Sequence, residues 1–261
     1  GILRLSFMVN LVFLPVFATL LLQHDGSIPW RNVLQPVLTG LLFFIGQLFT
    51  FAAIRIGDVS LQTPMMGTKA VFAVLIAVIC GTEVIGLPMF LAAVVAMLGV
   101  ALLGFSGNGT ERVGVSITLA ALSSLFFAGS DTMVGYYASD FGVPVFLFIA
   151  ILVNTLLSLL LIPFFKEPLR AIPSQAWPWL LAACLLMGLQ ALLLNYTLGR
   201  YQHVAEVNVL YSTRGLWSVV LGALAVSLLQ RQKKTGQRRI FILRFLGALL
   251  MCVSIAILFK F

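Results

Sequence analysis

Two basic residues lie in the middle of long apolar stretches, where a charge is costly. Lys69 falls within the run 59–80 and Arg214 within the run 203–229. A lysine or arginine at the centre of a bilayer costs about 2.5–3.5 kcal/mol on insertion scales, so such residues usually mark the path of a substrate or an ion. Both side chains donate charge-assisted hydrogen bonds to carboxylates and phosphates. The chemistry predicted for this pair is the binding of an anion.

The sequence segments around the two cations are similar and lie a fixed number of residues apart. Residues 67–77 align without gaps with residues 212–222, so that Lys69 pairs with Arg214 at an offset of 145 residues. Further pairs at this offset are Arg55 with Arg200, Val59 with Val204 and Phe72 with Trp217. We interpret the chain as two related halves, each with a central cation.

Polar and aromatic side chains close to the cations in sequence are candidates for the same site. Tyr211 precedes Arg214 by three residues and Asn208 precedes it by six, so Tyr211 shares the helix face of Arg214 more nearly. The predicted substrate-binding residues are Lys69, Arg214, Thr68, Thr213, Tyr211, Trp217 and Asn208.

Two acids have positions comparable to those of the cations. Asp131 lies well inside an apolar run, and Glu206 lies near the start of another. Either acid can form a structural ion pair with a buried cation, and Asp131 can instead carry a coupling proton. The sequence leaves these roles open.

The composition indicates a polytopic membrane protein. Of 261 residues, 61% are hydrophobic and 9% are charged, whereas soluble domains have about 25% charged residues. A membrane helix needs about 20 apolar residues, and the runs are too long and too uniform for the alternating strands of a membrane barrel. The sequence therefore predicts an all-helical fold. Nine spans are predicted, at 5–22, 33–54, 59–80, 85–105, 113–138, 143–165, 177–198, 203–229 and 241–260.

One of these spans carries small residues at close spacing, Ala92, Ala96 and Gly99. They predict a close contact with a neighbouring helix.

Several classes of function find no support in the sequence. The net charge of +8 lies mostly in short connections, so nucleic-acid binding is not expected. The three cysteines and two histidines have no ligand-like spacing, and no phosphate-binding glycine loop occurs, so we expect no metal and no cofactor. The string 104–107 resembles the GxSG motif of rhomboid proteases in four residues only. We do not expect an enzyme.

The repeat also predicts the direction of the helices. At the offset of 145, the span 113–138 would pair with a helix upstream of Gly1, which we expect to be missing. The first repeat is then 1–106, with four helices and lacking its first, and the second is 113–261, with five. Equivalent spans are five apart, so the two five-helix bundles form an inverted repeat.

The distribution of positive charge predicts the orientation in the membrane. Eleven Lys and Arg lie on one side of the membrane and three on the other, which predicts a cytoplasmic loop at 231–239.

Over almost its whole length this pattern resembles the EamA-like branch of the drug/metabolite transporter superfamily. The resemblance rests on 51–54 (FAAI), Pro64 and 81–83 (GTE) in the first half and on 196–198 (YTL) in the second. The second half departs from the family pattern, because Val209 stands where the proline is expected and the terminal Gly-Glu is absent. The family's usual orientation, with both termini in the cytoplasm, also conflicts with the charge count. The resemblance implies a ten-helix transporter, and basic residues placed like Lys69 and Arg214 hold a phosphate in the sugar-phosphate branch.

The leading hypothesis is a secondary transporter that moves a small organic anion by alternating access. The alternatives are a transporter of neutral or cationic solutes, with the cations held in ion pairs, and a membrane scaffold that transports nothing. We expect a small-molecule partner and membrane lipid, and the oligomeric state, monomer or homodimer, stays open. The expected location is the bacterial cytoplasmic membrane.

Overall fold

The described residues fold almost entirely into helices. The computed structural model describes residues 1–23, 26, 28–56, 67–80, 86–103, 113–213, 217 and 238–260. The α-helices of these residues are α1 (Ile2–Ala18), α2 (Leu34–Ile56), α3 (Thr68–Cys80), α4 (Leu87–Leu103), α5 (Val113–Phe141), α6 (Val143–Ser158), α7 (Trp177–Tyr201), α8 (Val204–Ser212) and α9 (Arg238–Lys260). Short 3-10 segments follow α1 at Thr19–Gln23 and α6 at Leu159–Phe164. No strand occurs among the residues described, so the prediction of an all-helical fold is confirmed for them.

Five helical stretches are long and apolar enough to cross a membrane. They are Ile2–Leu22, Trp30–Ile56, Gly114–Phe141, Val143–Phe164 and Ser174–Tyr201. Three shorter apolar stretches are Thr68–Cys80, Leu87–Leu102 and Phe245–Ile257. These helices have the length and hydropathy that membrane spans need, as the composition predicted, while the count of nine spans stays a prediction.

The described helices form two compact units, and we consider each by itself. Unit 1 consists of Gly1–Phe51 and Gly129–His203, and unit 2 consists of Ala52–Ala128 and Val204–Phe261. Each unit takes helices from both predicted repeats. The repeat boundaries at 106 and 113 concern equivalence of sequence rather than packing, and they stay a prediction.

A layer of buried polar side chains joins three helices of unit 1. Asn10 on α1 and Gln47 on α2 exchange two amide hydrogen bonds, of 2.8 and 2.9 Å. Thr155 Oγ1 on α6 lies 3.0 Å from the carbonyl oxygen of Asn10 and 2.8 Å from that of Ile151 in its own helix, so its one proton is shared between two acceptors. Since lipid offers no competing hydrogen bonds, such contacts between helices add to the packing of the apolar faces.

Glycines allow close helix approach in unit 1. A Cβ at Gly40 on α2 would collide with the carbonyl oxygen of Ala150 on α6 and lie 3.0 Å from the Cβ of Val153. A Cβ at Gly188 on α7 would lie 3.3 Å from the ring of Phe13 on α1. The absent side chains thus permit contacts between neighbouring backbones and rings, as is common where helices meet in lipid.

In unit 2, α4 packs closely against α9 through small residues. Ala92 and Ala96 are fully buried, and a Cβ at Gly99 would lie 3.0 Å from the carbonyl oxygen of Gly247. Ser254 donates to the carbonyl oxygen of Ala92 at 2.9 Å. The close contact predicted from Ala92, Ala96 and Gly99 is confirmed. The buried core that they share with α3 and α8 comprises Ala70, Val74, Ala92, Ala93, Ala96, Val100, Ala205, Val209 and Met251.

One buried side chain of unit 1 lowers the stability of the fold. Asn154 on α6 is 0% exposed, and neither Oδ1 nor Nδ2 makes a hydrogen bond with any described residue. A buried polar group without a partner costs about 1–3 kcal/mol. Asn154→Leu is therefore expected to raise the thermal unfolding temperature of the purified protein in detergent.

Asn10→Leu is the matched control, because it removes an amide that is bonded. It leaves Gln47 buried without its two hydrogen bonds and is expected to lower the unfolding temperature. A lower unfolding temperature for both variants would show that Asn154 contributes a stabilising interaction, contrary to this interpretation.

Candidate functional site

Lys69 lies in unit 2 in the first turn of α3, and its side chain is buried. Only 6% of its surface is exposed. The helix turns the same face inward along its length, and the buried residues of this face are Lys69, Ala70, Ala73, Val74 and Ala77. Because the other members are small and apolar, the ammonium is the polar end of an otherwise hydrophobic surface.

Two aromatic rings surround the Lys69 ammonium. Its Nζ lies 5.2 Å from the ring centroid of Tyr211 on α8 and 5.9 Å from that of Phe127 on α5. A cation over an aromatic face gains about 0.5–1 kcal/mol at an exposed site and about 2 kcal/mol when desolvated. These contacts help to hold the ammonium in place.

The position of Lys69 on its helix strengthens the positive potential. Lys69 is the second residue of α3, and the first turn of an α-helix carries the positive end of the helix dipole. A lysine there adds a full charge of the same sign, and both favour an anion. Thr68 begins the same turn and is partly buried.

Two further residues of the predicted site lie on α8 or directly after it. Asn208 is buried, and its Nδ2 donates to the carbonyl oxygen of Val204 at 3.0 Å. Thr213 follows the helix and donates to the carbonyl oxygen of Leu210 at 2.7 Å. The structure thus brings Lys69 and Tyr211 into contact, and it places Asn208 one turn from Tyr211.

Other predicted residues lie elsewhere or outside the described part. Trp217 is 60% exposed. Arg214 lies outside the described residues. Glu206 lies in the first turn of α8, where an acid complements the helix dipole. Asp131 is 2% exposed and belongs to unit 1, whereas Lys69 belongs to unit 2. The part of the chain that the structure describes has no group of three or more metal-ligating side chains.

Sequence reasoning missed Phe127 and the polar layer of unit 1. Phe127 is one of 21 phenylalanines, and nothing in its spacing distinguishes it from the others. The polar layer did have a signal, because Asn10 and Thr155 are separated by 145 residues, the offset of the repeat.

Fold and site together define an all-helical protein of membrane type with a buried lysine in an aromatic setting. No family model and no curated protein matches the chain. Among solved structures, 21 chains match. One, described only as "Crystal structure of protein", has a TM-score of 0.75 at 16% identity and covers 98% of this chain and 88% of that chain. At this identity the likeness shows a shared fold and no function.

Proposed function

We propose that the chain is a secondary transporter that moves a small organic anion across a membrane. The observation that carries the proposal is the buried Lys69 ammonium, held over two uncharged rings at the positive end of α3. An ionisable side chain among membrane-type helices usually marks the path of a substrate or an ion, and an ammonium suits an anionic one. A carboxylate or a phosphate would accept charge-assisted hydrogen bonds from Nζ.

An inverted repeat fits the way the helices are distributed between the units. Described helices that overlap at the offset of 145 share a unit: α1 with α6 and α2 with α7 in unit 1, and α4 with α9 in unit 2. The bond from Thr155 to Asn10 joins residues 145 apart. A residue touches its own equivalent only near a two-fold axis, so this bond supports such an axis within unit 1.

The directions of equivalent helices also support inversion. Along α1 and α6, Arg4 contacts Glu167 at 2.8 Å, Phe7 contacts Phe165, and Asn10 contacts Thr155. Residue numbers rise on α1 as they fall on the segment that includes α6, so the two run antiparallel. Helices α4 and α9 behave in the same way, since Ala92 meets Ser254 and Gly99 meets Gly247. Antiparallel equivalents are what an inverted repeat requires.

In this proposal Arg214 supplies the second cation of the site. It is equivalent to Lys69 in sequence, and two like charges near one axis would repel each other unless an anion lay between them. The two repeats would rock about the bound anion to expose it to alternate sides.

We further propose that the chain belongs to the EamA-like branch of the drug/metabolite transporters and resides in the bacterial cytoplasmic membrane.

Uptake into vesicles tests the proposal. The purified protein is reconstituted and offered a panel of carboxylates and phosphate esters, each paired with a neutral amide or alcohol analogue and with a matched amine. We expect uptake of at least one anion above protein-free vesicles, and no uptake of its neutral analogue. Uptake confined to neutral solutes or amines would favour a transporter with internally paired cations. An absence of uptake across the whole panel would favour the scaffold.

A further inference from the structure

Helix α7 of unit 1 is exposed over most of its length. Only 11% of its most apolar stretch is buried, against 33% to 50% in the other four stretches that are long enough to cross a membrane. The buried residues of α7 share one face of the helix and are Cys184, Gly188, Asn195, Leu198 and Gly199. The rest of the helix surface is open to the surroundings of the chain.

One exposed face of α7 is suited to lipid. Leu185, Leu189 and Leu193 are four residues apart, so they lie along one side of the helix. They are 51%, 50% and 58% exposed. Leucine side chains are as apolar as the hydrocarbon of a bilayer, so this face, which we call the leucine face, needs no protein partner.

A second exposed side of α7 carries polar groups, and we call it the polar stripe. It consists of Gln190, Thr197 and Tyr201, which share a side of the helix because they are seven and four residues apart. Gln190 and Tyr201 are exposed, and Thr197 is partly exposed. An exposed glutamine amide is unfavourable in hydrocarbon, because lipid offers it no hydrogen bonds. The stripe is therefore expected to face water or a polar partner rather than lipid.

The polar stripe occupies the half of α7 that runs from its middle to its end. Gln190 lies near the middle of the 25 residues of the helix, and Tyr201 is the last of them. At 1.5 Å per residue, the stripe extends about 16 Å along the helix axis, which is roughly half of the hydrocarbon thickness of a bilayer. A polar surface that starts at one end of a membrane helix and stops at its middle suits a path that opens to one side of the membrane.

The charges of α7 favour an anion as the solute in such a path. The helix has no acidic residue, and its one charged side chain, Arg200, is exposed in the last turn. The amide of Gln190 has two N–H groups that can donate to an oxyanion. A positive charge near the entrance attracts anions, and no carboxylate on the helix repels them.

We propose that the polar stripe of α7 borders a water-filled path that leads the anion from one side of the membrane to its middle. The identity of the solute rests on the proposed function. The presence of water along the stripe does not depend on any solute, so it can be measured alone. The competing occupant is a second copy of this chain, because two glutamine amides can hydrogen-bond each other across a helix contact.

Thiol labelling of the full chain in reconstituted vesicles tests the path, because lipid then covers the leucine face. Gln190→Cys and its matched control Leu189→Cys each add one cysteine, at adjacent exposed positions of the same helix. The reagent is an anionic methanethiosulfonate that carries a sulfonate, does not cross lipid and is supplied on both sides of the membrane. The mass of the intact protein counts the labels above those of the parent, whose own cysteines are Cys80, Cys184 and Cys252.

The expected result is a large difference in labelling rate between the two variants. The thiolate is the reactive form of cysteine and is disfavoured in apolar surroundings, so we expect Gln190→Cys to react at least about tenfold faster than Leu189→Cys. Equal rates for the two variants, or no labelling of Gln190→Cys, would overturn the proposal. A disulfide between two copies of Gln190→Cys under mild oxidation, which neither the parent nor Leu189→Cys forms, would also overturn it and assign the stripe to a dimer interface.

A second pair of variants covers the case in which Gln190→Cys does not fold. Thr197→Cys lies on the polar stripe and Leu193→Cys lies on the leucine face, and the same preference is expected, with the same outcomes contradicting it. If the stripe is labelled but no anion is transported by the parent, the proposed function fails and the water-filled path stands. If an anion is transported but the stripe is not labelled, the path along α7 fails and the proposed function stands.

Discussion

Lys69→Gln is expected to lower the apparent affinity for the transported anion by about ten- to hundredfold. The change removes a hydrogen bond to a charged group, and such bonds contribute about 1.5–3 kcal/mol. Folding is not expected to suffer, because removing the buried charge also removes the cost of holding it in an apolar environment. The measurement is concentration-dependent uptake by reconstituted vesicles, with the amount of inserted protein determined in parallel.

Two further substitutions separate the charge from the packing around it. Lys69→Arg keeps a cation and is expected to retain part of the transport. Lys69→Met keeps a long unbranched side chain without the charge and is expected to behave like Lys69→Gln. Tyr211→Phe is the control for the aromatic contact, since it preserves the ring over which Nζ lies at 5.2 Å. If Lys69→Met transports the anion as well as the parent, the charge plays no part in substrate binding.

Gly40→Ala is expected to destabilise unit 1 severely. The added Cβ would collide with the carbonyl oxygen of Ala150 and lie 3.1 Å from the carbonyl carbon. These are backbone atoms of α6, so α2 and α6 would have to move apart. Overpacking of this kind costs typically about 1–3 kcal/mol and occasionally more. The expected result is a lower thermal unfolding temperature and a smaller fraction of protein that remains monodisperse in detergent.

Gly129→Ala provides the comparison, because it makes the same chemical change within another helix of unit 1. Its Cβ would lie 3.7 Å from a methyl group of Leu42, an ordinary contact. Replacing glycine by alanine within a helix usually gains up to about 1 kcal/mol. Gly129→Ala is therefore expected to match or exceed the stability of the parent. Equal stability of the two variants would mean that α2 does not approach α6 as closely as described.

The fold class was predictable because it depends on features local to the sequence. Long apolar runs can cross a bilayer only as helices, since every backbone polar group must find a partner within its own segment. The contact through Ala92, Ala96 and Gly99 was predictable for a similar reason, because small residues permit close approach whichever helix is the neighbour. These conclusions need no knowledge of which helices pack together.

The detailed site depends on that knowledge, and for this reason only part of it was predicted. Tyr211 was selected for its spacing from Arg214, yet in the structure its ring lies over Lys69, which is far away in sequence. Phe127 reaches Lys69 from a third helix. Periodicity indicates which face of a helix is buried but not what it contacts.

The most direct test of the account is an experimental structure with the transported anion bound. The account predicts an oxygen of the anion within about 2.7–3.2 Å of Lys69 Nζ, beside the first turn of α3. It also predicts that Arg214 contacts the same anion. The account would be contradicted if the anion bound elsewhere and Lys69 formed an ion pair with Asp131 or Glu206.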